Sequence, residues 1–292
     1  MRDVEKSKKG IVCIVLSAFC FSLMSLFIRL SGDVPTMQKC FFRNLVAMLI
    51  AIGALVRERQ PLRIGKGNLK YLFCRAIGGT CGLICNFYAI DHIPISDASM
   101  LNKLSPFFAI ICSFFVLKEV ASKLDWVTVA AAFVGMLLVV KPTMSMEVVP
   151  AFVGALGGFG AGVAYTFVRK LGKKGVTGPI VVMFFSTFST LFCLPFFLYN
   201  YEPMSMRQLL CLCGAGLTAA GGQLAITAAY TYAPAKEISV YDYTQVIFAA
   251  IWGFIIFGQR PDIFSVIGYV IIIGAAVYRS GILSHWKNQK EV

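Results

Sequence analysis

The sequence predicts an all-α integral membrane protein with ten transmembrane helices, arranged as two inverted repeats of five. Hydrophobic residues make up 58% of the chain and charged residues 14%, whereas a typical soluble domain carries about 25% charged residues. About ten apolar stretches alternate with short connections, each near the ~20 residues with which an α-helix crosses ~30 Å of hydrocarbon. The second half of the chain also repeats the first at a constant offset of 140 residues.

Each apolar stretch has the length of a membrane helix rather than of a barrel strand. The predicted spans, in chain order, are residues 11–30, 37–56, 69–90, 98–117, 124–140, 151–169, 179–199, 208–230, 238–257 and 262–282. The fifth span is short, so we expect it to use its interfacial neighbours. The first is full length and belongs to the repeat, so we expect it to be retained rather than cleaved as a signal peptide.

The repeat runs without a gap from the first span to the ninth. Residues that are identical at the offset of 140 include the pairs Phe19 and Phe159, Arg29 and Arg169, Gly82 and Gly222, Pro94 and Pro234, and Phe114 and Phe254. Because each half holds an odd number of spans, the second half crosses the membrane in the opposite sense, and the repeat is inverted. We expect one repeat over residues 1–141 and the other over 150–285, working as a single transport unit.

The basic residues are concentrated on one side of the predicted membrane. With the N-terminus inside, only Lys141, Arg207 and Arg260 fall in outer loops. The positive-inside rule then places both termini in the cytoplasm and the chain in the cytoplasmic membrane. The net charge of +13 therefore indicates topology and contact with the lipid bilayer, and we expect no nucleic acid partner.

Several classes of activity lack their sequence signals. The two histidines, His92 and His285, lie at membrane edges, and no zinc-type cluster or nucleophile–histidine–acid set can be assembled. We therefore expect no cofactor and no metal, and an integral membrane enzyme is only a distant alternative. The chain also has no nucleotide-binding loop, which argues against an ATP-driven pump.

Four charged residues lie at membrane depth: Arg43, Arg75, Lys103 and Asp242. A charge there costs roughly 2.5–3.5 kcal/mol on insertion scales, so each needs a partner or a function. A guanidinium binds a carboxylate or phosphate through two hydrogen bonds, which makes both arginines candidate substrate clamps. The alternative is a structural pair with a carbonyl or with Asp242. We expect Asp242 to be the only deep carboxylate, and to act as a charge partner for Arg75 or Lys103 or as a proton carrier.

The offset of 140 also aligns polar residues of the fourth and ninth spans. Asn102 and Lys103 align with Asp242 and Tyr243, which indicates that both spans line one polar cavity between the halves. The predicted substrate-binding residues are Arg43, Arg75, Asn86, Asn102, Lys103, Gln223, Tyr241, Asp242, Tyr243 and Gln245. Because the cations outnumber the carboxylate, this cavity favours a small organic substrate with a carboxylate or phosphate, such as an amino acid or a nucleoside-linked metabolite.

Clusters of glycine predict close helix contacts. Gly78, Gly79 and Gly82 in the third span are expected to face the glycines of the eighth, such as Gly216 and Gly222, because small residues let helix backbones approach in lipid. Such glycine-rich faces permit a homodimer without requiring one.

Local strings of the chain resemble the drug/metabolite transporter superfamily, and its EamA family in particular. They are Phe41-Phe42-Arg43, Arg75 with Gly78-Gly79, Ser105-Pro106-Phe107, Lys118-Glu119 and Tyr241-Asp242-Tyr243-Thr244-Gln245. In pattern the chain is most similar to S-adenosylmethionine-uptake-like members. The resemblance implies a secondary transporter that moves a small metabolite by alternating access. It leaves the substrate open, because the family carries amino acids, nucleotide-like metabolites, vitamins and drugs.

The main rival interpretation among transporters is a proton-coupled exporter of cationic drugs, with Asp242 as the exchange site. The sequence leaves open whether protons or another ion drive transport, and in which direction the substrate moves. One departure from the family pattern is visible, since the second half has Gly258-Gln259 where the first has Lys118-Glu119.

Overall fold

The computed structural model describes residues 2–57, 64–65, 67–118, 122–140, 148–232 and 239–288. Within these residues the chain forms eleven α-helices and one 3-10 helix and contains no strand, which confirms the all-α prediction. The α-helices are α1 Arg2–Leu30, α2 Thr36–Arg57, α3 Leu69–His92, α4 Ile95–Asn102, α5 Ser105–Leu117, α6 Lys123–Val140, α7 Val148–Lys173, α8 Gly178–Tyr199, α9 Met206–Tyr232, α10 Thr244–Phe257 and α11 Ile263–Asn288. Glu119 and Lys141, which the sequence analysis uses, lie outside the described residues.

Seven helical segments of the described chain are long and apolar enough to cross a membrane. They are Lys8–Leu30, Thr36–Arg57, Leu69–His92, Ile95–Leu117, Val148–Lys173, Gly178–Tyr199 and Met206–Ile226. Tyr241–Phe257 and Ile263–Tyr278 are shorter apolar helices. The protein is therefore a multi-pass membrane protein.

The fourth predicted span is not one continuous helix. α4 ends at Asn102 and α5 begins at Ser105, with Lys103 and Leu104 in a turn between them. Pro106 lies in the first turn of α5, where the missing N–H of proline removes no helical hydrogen bond. The fourth predicted span is therefore present over Ile95–Leu117, but it consists of two helices, since a proline within a helix interior would cost about 3 kcal/mol.

The ninth predicted span is interrupted at the matching place. Residues Ser239–Tyr243 form a 3-10 helix, and α10 begins only at Thr244. Tyr243, the last residue of the 3-10 helix, is the offset partner of Lys103 in the turn between α4 and α5. Interruptions of this kind expose backbone groups at membrane depth, which is tolerated where the chain is buried in protein or lines a cavity.

Helices from the two predicted halves pack against each other in pairs. α3 packs along α7 and α1 along α9, while α2 contacts α8, α4 contacts α10 and α6 contacts α11. The expectation that the glycines of the third and eighth spans face each other is wrong. A Cβ at Gly82 of α3 would lie 2.9 Å from the backbone nitrogen of Ala161 in α7, and a Cβ at Gly222 of α9 would lie 2.9 Å from the Phe21 ring of α1.

The departure from the family pattern at Gly258-Gln259 has a conformational counterpart. Lys118 ends α5 with φ 54°, and its offset partner Gly258 ends α10 with φ 64°. Both helices therefore terminate through a left-handed residue, which glycine adopts readily and lysine does not.

Candidate functional site

A cavity of about 100 Å³ lies between helices of the two predicted halves. Its lining combines cations, amides, aromatic rings and aliphatic side chains. The lining residues are Phe21, Met24, Arg43, Arg75, Gly79, Gly82, Leu83, Asn86, Asn102, Lys103, Ala161, Ala164, Tyr165, Phe185, Gln223 and Gln245. Its wall places a few polar groups among apolar side chains, as small-molecule sites typically do.

Arg43 projects into this cavity from α2 and is only 3% exposed. Its Nη1 donates to Oδ1 of the neighbouring Asn44 at 2.5 Å, and Asn44 Nδ2 in turn donates to Ser189 Oγ of α8 at 2.8 Å. This relay ties α2 to α8 and fixes one edge of the guanidinium. The Nε atom is buried and has no hydrogen-bond partner among the described residues. The partner of Arg43 is therefore the side-chain carbonyl oxygen of Asn44 and not Asp242.

Arg75 reaches the same cavity from α3, and it is 5% exposed. Its guanidinium carbon lies 3.9 Å from the centroid of the Phe185 ring, a cation–π contact that holds the plane of the guanidinium in place. A Cβ at Gly79 would lie 2.4 Å from Arg75 Nη1 and 2.9 Å from Phe185 Cε2. Gly79, one helical turn beyond Arg75, therefore provides the space in which the guanidinium sits. Its Nε also lacks a partner among the described residues.

Lys103 and Asp242 meet where the two interrupted spans cross. Lys103 Nζ lies 2.5 Å from Asp242 Oδ2. Of the two cations considered as partners of Asp242, Arg75 and Lys103, the structure therefore pairs it with Lys103. Lys103 lines the cavity, whereas Asp242 lies behind it and does not. Asp242 Oδ1 is buried and has no hydrogen-bond partner among the described residues.

Four predicted amides line the cavity as expected: Asn86, Asn102, Gln223 and Gln245. Asn86 Oδ1 is a buried acceptor without a described partner. Nε of Arg43, Nε of Arg75 and Oδ1 of Asn86 are therefore buried polar atoms of the residues that line the cavity, and none has a described partner, which is unusual for buried polar groups.

The two tyrosines of the predicted set lie outside the cavity lining. Tyr241 is 41% exposed, and Tyr243 is buried with its hydroxyl donating to the carbonyl oxygen of Lys103 at 3.3 Å. The expected α-helical arrangement is replaced by a 3-10 helix with about three residues per turn, which changes the direction in which these rings point. The tyrosine that does line the cavity is Tyr165 of α7, which is absent from the predicted set.

Two carboxylates besides Asp242 have side-chain partners within the described chain. Asp91 is half-buried and pairs with Lys39 at 2.6 Å, joining α3 to α2. Asp97 of α4 is buried and accepts a hydrogen bond from the Tyr269 hydroxyl of α11. Both lie near helix ends, so the prediction that Asp242 is the only carboxylate at membrane depth stays a prediction.

Phe185 is the site residue that the sequence analysis missed. It lies among many phenylalanines of the apolar spans, so nothing in its sequence context separates it from residues that face lipid. The nearest signal is the glycine pair after Arg75, because a missing side chain beside an embedded cation indicates that something occupies the space.

The sequence comparisons give the family. The family model described as EamA-like transporter family matches residues 8–141 and 149–280, which together make up most of the chain. The chain belongs to the EamA-like transporter family. It is therefore a membrane transporter rather than an enzyme, and it handles a small-molecule substrate in a lipid bilayer.

Individual relatives span nearly the whole chain. Pseudopaline exporter CntI of Pseudomonas aeruginosa is 30% identical over 92% of this chain and 95% of its own length. Solute carrier family 35 member G1 of Homo sapiens is 27% identical over 92% of this chain and 78% of its own length. A solved crystal structure matches 96% of this chain and 99% of its own with a TM-score of 0.64 and 15% identity, which shows a shared fold alone.

Proposed function

We propose that this protein is a ten-span secondary transporter that moves a carboxylate- or phosphate-bearing metabolite across the cytoplasmic membrane by alternating access. In this arrangement the ten spans are α1, α2, α3, α4 with α5, α6, α7, α8, α9, the 3-10 helix with α10, and α11. The two repeats over residues 1–141 and 150–285 then have opposite orientations, and the lysine and arginine distribution places both termini inside. The pairwise packing of helices from the two halves supports this topology, because an inverted repeat can exchange shapes across such an interface.

One observation supports a substrate with a carboxylate or phosphate. Arg43 and Arg75 are both buried in the cavity wall, and neither forms an ion pair with a carboxylate of the described residues. The remaining cation of the wall, Lys103, already has Asp242 as its partner. The cavity therefore carries two uncompensated positive charges, which an anionic substrate group would neutralise through charge-assisted hydrogen bonds.

A thermal-stability screen of the purified protein tests this proposal. The probes are amino acids, nucleosides, S-adenosylmethionine and cationic dyes, each with wild-type protein and with Arg43→Gln. S-adenosylmethionine is included because of the resemblance to uptake-like members of the family. A ligand at 100 times its Kd stabilises the folded state by about 2.7 kcal/mol. We expect a carboxylate- or phosphate-bearing probe to raise the Tm of the wild type but not of Arg43→Gln.

Arg57→Gln is the matched control for this screen, since Arg57 ends the same helix and is exposed. It removes the same charge outside the cavity and should retain the ligand response. A response that is equal in all three proteins would refute the clamp. The name of the Pseudomonas relative makes export the direction to test first, with substrate-loaded vesicles.

The unpartnered Oδ1 of Asp242 favours a second candidate, a proton-coupled exporter of cationic drugs. In that case Asp242→Asn should abolish dye transport, whereas a carrier of anions that does not use protons should keep its transport. A Tm response only to cationic dyes, independent of Arg43, would favour this alternative. Counting protons moved per substrate in vesicles identifies the coupling ion, and size-exclusion chromatography with light scattering tests for a homodimer.

A further inference from the structure

Three lysine ammonium groups converge on one tyrosine ring at an end of the helix bundle, outside the lining of the central cavity. The Nζ atoms of Lys170, Lys174 and Lys70 lie 4.5, 4.7 and 5.2 Å from the centroid of the Tyr71 ring. Because all three distances are measured to the same centroid, no two of these charges are more than about 10 Å apart. This separation is about one Debye length at 0.1 M salt, so the charges still interact. The ring face attracts each cation, but the three cations repel one another.

The cluster is built from two helix ends. Lys70 and Tyr71 lie in the first turn of α3, and Lys170 lies in the last turn of α7. The Tyr71 ring stacks on Phe167 of α7 with 6.2 Å between centroids, so the position of the ring is fixed by packing. By the proposed topology this end of the bundle faces the cytoplasm.

No carboxylate among the described residues neutralises the positive charge of the cluster. None of the three lysines forms an ion pair with a carboxylate of the described residues. Lys170 Nζ donates to the carbonyl oxygen of Val116 at 3.1 Å, and the end of α7 contributes about half a negative charge. These partial charges offset only a fraction of three full ones, so an anion would be bound favourably at this place.

An apolar stripe begins beside the cluster and runs along α3. Leu69, Phe73 and Ile77 recur every four residues, and their exposed fractions are 48%, 41% and 51%. Side chains at this spacing share one helix face. A molecule with an anionic head at the lysines could therefore lay an acyl chain on this face.

We propose that Tyr71 with Lys70, Lys170 and Lys174 forms a binding site for the phosphate of an anionic phospholipid, whose acyl chain lies along Leu69, Phe73 and Ile77. The adjoining stripe favours a lipid over free phosphate, which has no apolar part to place there. Basic pockets at the cytoplasmic side of membrane helices are suited to such headgroups. This site is separate from the central cavity and does not depend on the substrate proposed above.

Native mass spectrometry of the purified protein in a neutral detergent tests this site with two defined lipids. Dioleoylphosphatidylglycerol is titrated against dioleoylphosphatidylcholine, which has the same acyl chains and no net charge. We expect at least a tenfold preference of the wild type for phosphatidylglycerol, reduced to no preference in Lys170→Gln/Lys174→Gln. Lys170→Arg/Lys174→Arg should keep the preference, because arginine retains the charge.

The matched control is Lys8→Gln/Lys123→Gln, which removes two positive charges elsewhere and should keep the preference. The single variant Lys174→Gln keeps the test usable if the double variant fails to fold, because Lys174 lies outside the helix. It should weaken the preference for phosphatidylglycerol by itself. Equal binding of both lipids by the wild type would overturn the proposal, as would an unchanged preference in the double variant. Competition by inorganic phosphate at the concentration of the lipid would refute a lipid site in favour of a free phosphate site.

Discussion

Gly79→Ala separates the role of the Arg75 guanidinium from the stability of the fold. The added Cβ would lie 2.4 Å from Arg75 Nη1 and 2.9 Å from the Phe185 ring, both shorter than the ~3.5–4.0 Å of an ordinary contact. Arg75 Nη1 is the end of a flexible side chain, so the guanidinium can move by about 1 Å and relieve the overlap. The variant therefore displaces the proposed clamp while all charges remain present.

The expected loss follows from the hydrogen bonds that a displaced guanidinium can no longer make. Hydrogen bonds to charged groups contribute about 1.5–3 kcal/mol, and each 1.4 kcal/mol is tenfold in Kd. The affinity for an anionic substrate should therefore fall by roughly 10- to 100-fold. The effect on folding has the opposite sign, because alanine is favoured over glycine in a helix by roughly 0.5–1 kcal/mol.

The assay is the Tm response of Gly79→Ala to the probe that stabilises the wild type most strongly, titrated to obtain a Kd. Gly53→Ala is the control, since Gly53 lies in α2 with nothing within 4 Å of an added Cβ. Gly53→Ala should keep the wild-type Kd. A Gly79→Ala protein with unchanged Kd would refute the idea that the position of Arg75 over Phe185 matters for binding.

Three further predictions concern stability, each measured by reversible unfolding in one detergent. Lys118→Gly should raise the stability by about 1 kcal/mol because glycine avoids the cost of the left-handed conformation, and Gly258→Ala should lower it; equal effects of the two changes would contradict the assigned geometry. Lys103→Ala should cost roughly 3–5 kcal/mol by leaving the Asp242 carboxylate uncompensated, and adding Asp242→Asn should recover much of that loss, whereas additive losses would disprove the pair. Gly82→Ala should cost roughly 1–3 kcal/mol by forcing α3 away from α7, and a neutral result would show that the two helices are not in close contact.

The all-α class and the positions of the helices could be predicted because hydropathy and length record them directly. The interruptions could not be predicted in the same way. Most residues of the fourth span are apolar despite Asn102 and Lys103, so a hydropathy window reads the span as continuous. Pro106 was the local signal for the break, while the 3-10 helix before Thr244 has no proline and no glycine to mark it.

For the site, the charged residues could be predicted from their depth in the membrane, whereas their partners could not, because partners depend on how the helices pack. Arg43, Arg75 and Lys103 were predictable because a buried cation is costly and needs a reason. Which cation pairs with Asp242, and which ring covers Arg75, depend on the neighbours of each helix. The sequence does not record those neighbours, as the wrong assignment of the glycine contacts of α3 shows.

The hydrogen bond from the Tyr243 hydroxyl to the Lys103 carbonyl joins a residue to its own image, since the two are 140 positions apart. Under a two-fold operation only positions on the axis can touch their images, so this contact marks the fulcrum of the exchange proposed above. When the halves trade shapes, the lysine would stand where the tyrosine now stands, and Asp242 would lose its cation. The ion pair would then be one of the differences in energy between the two end states, and it would favour the orientation in which it is formed.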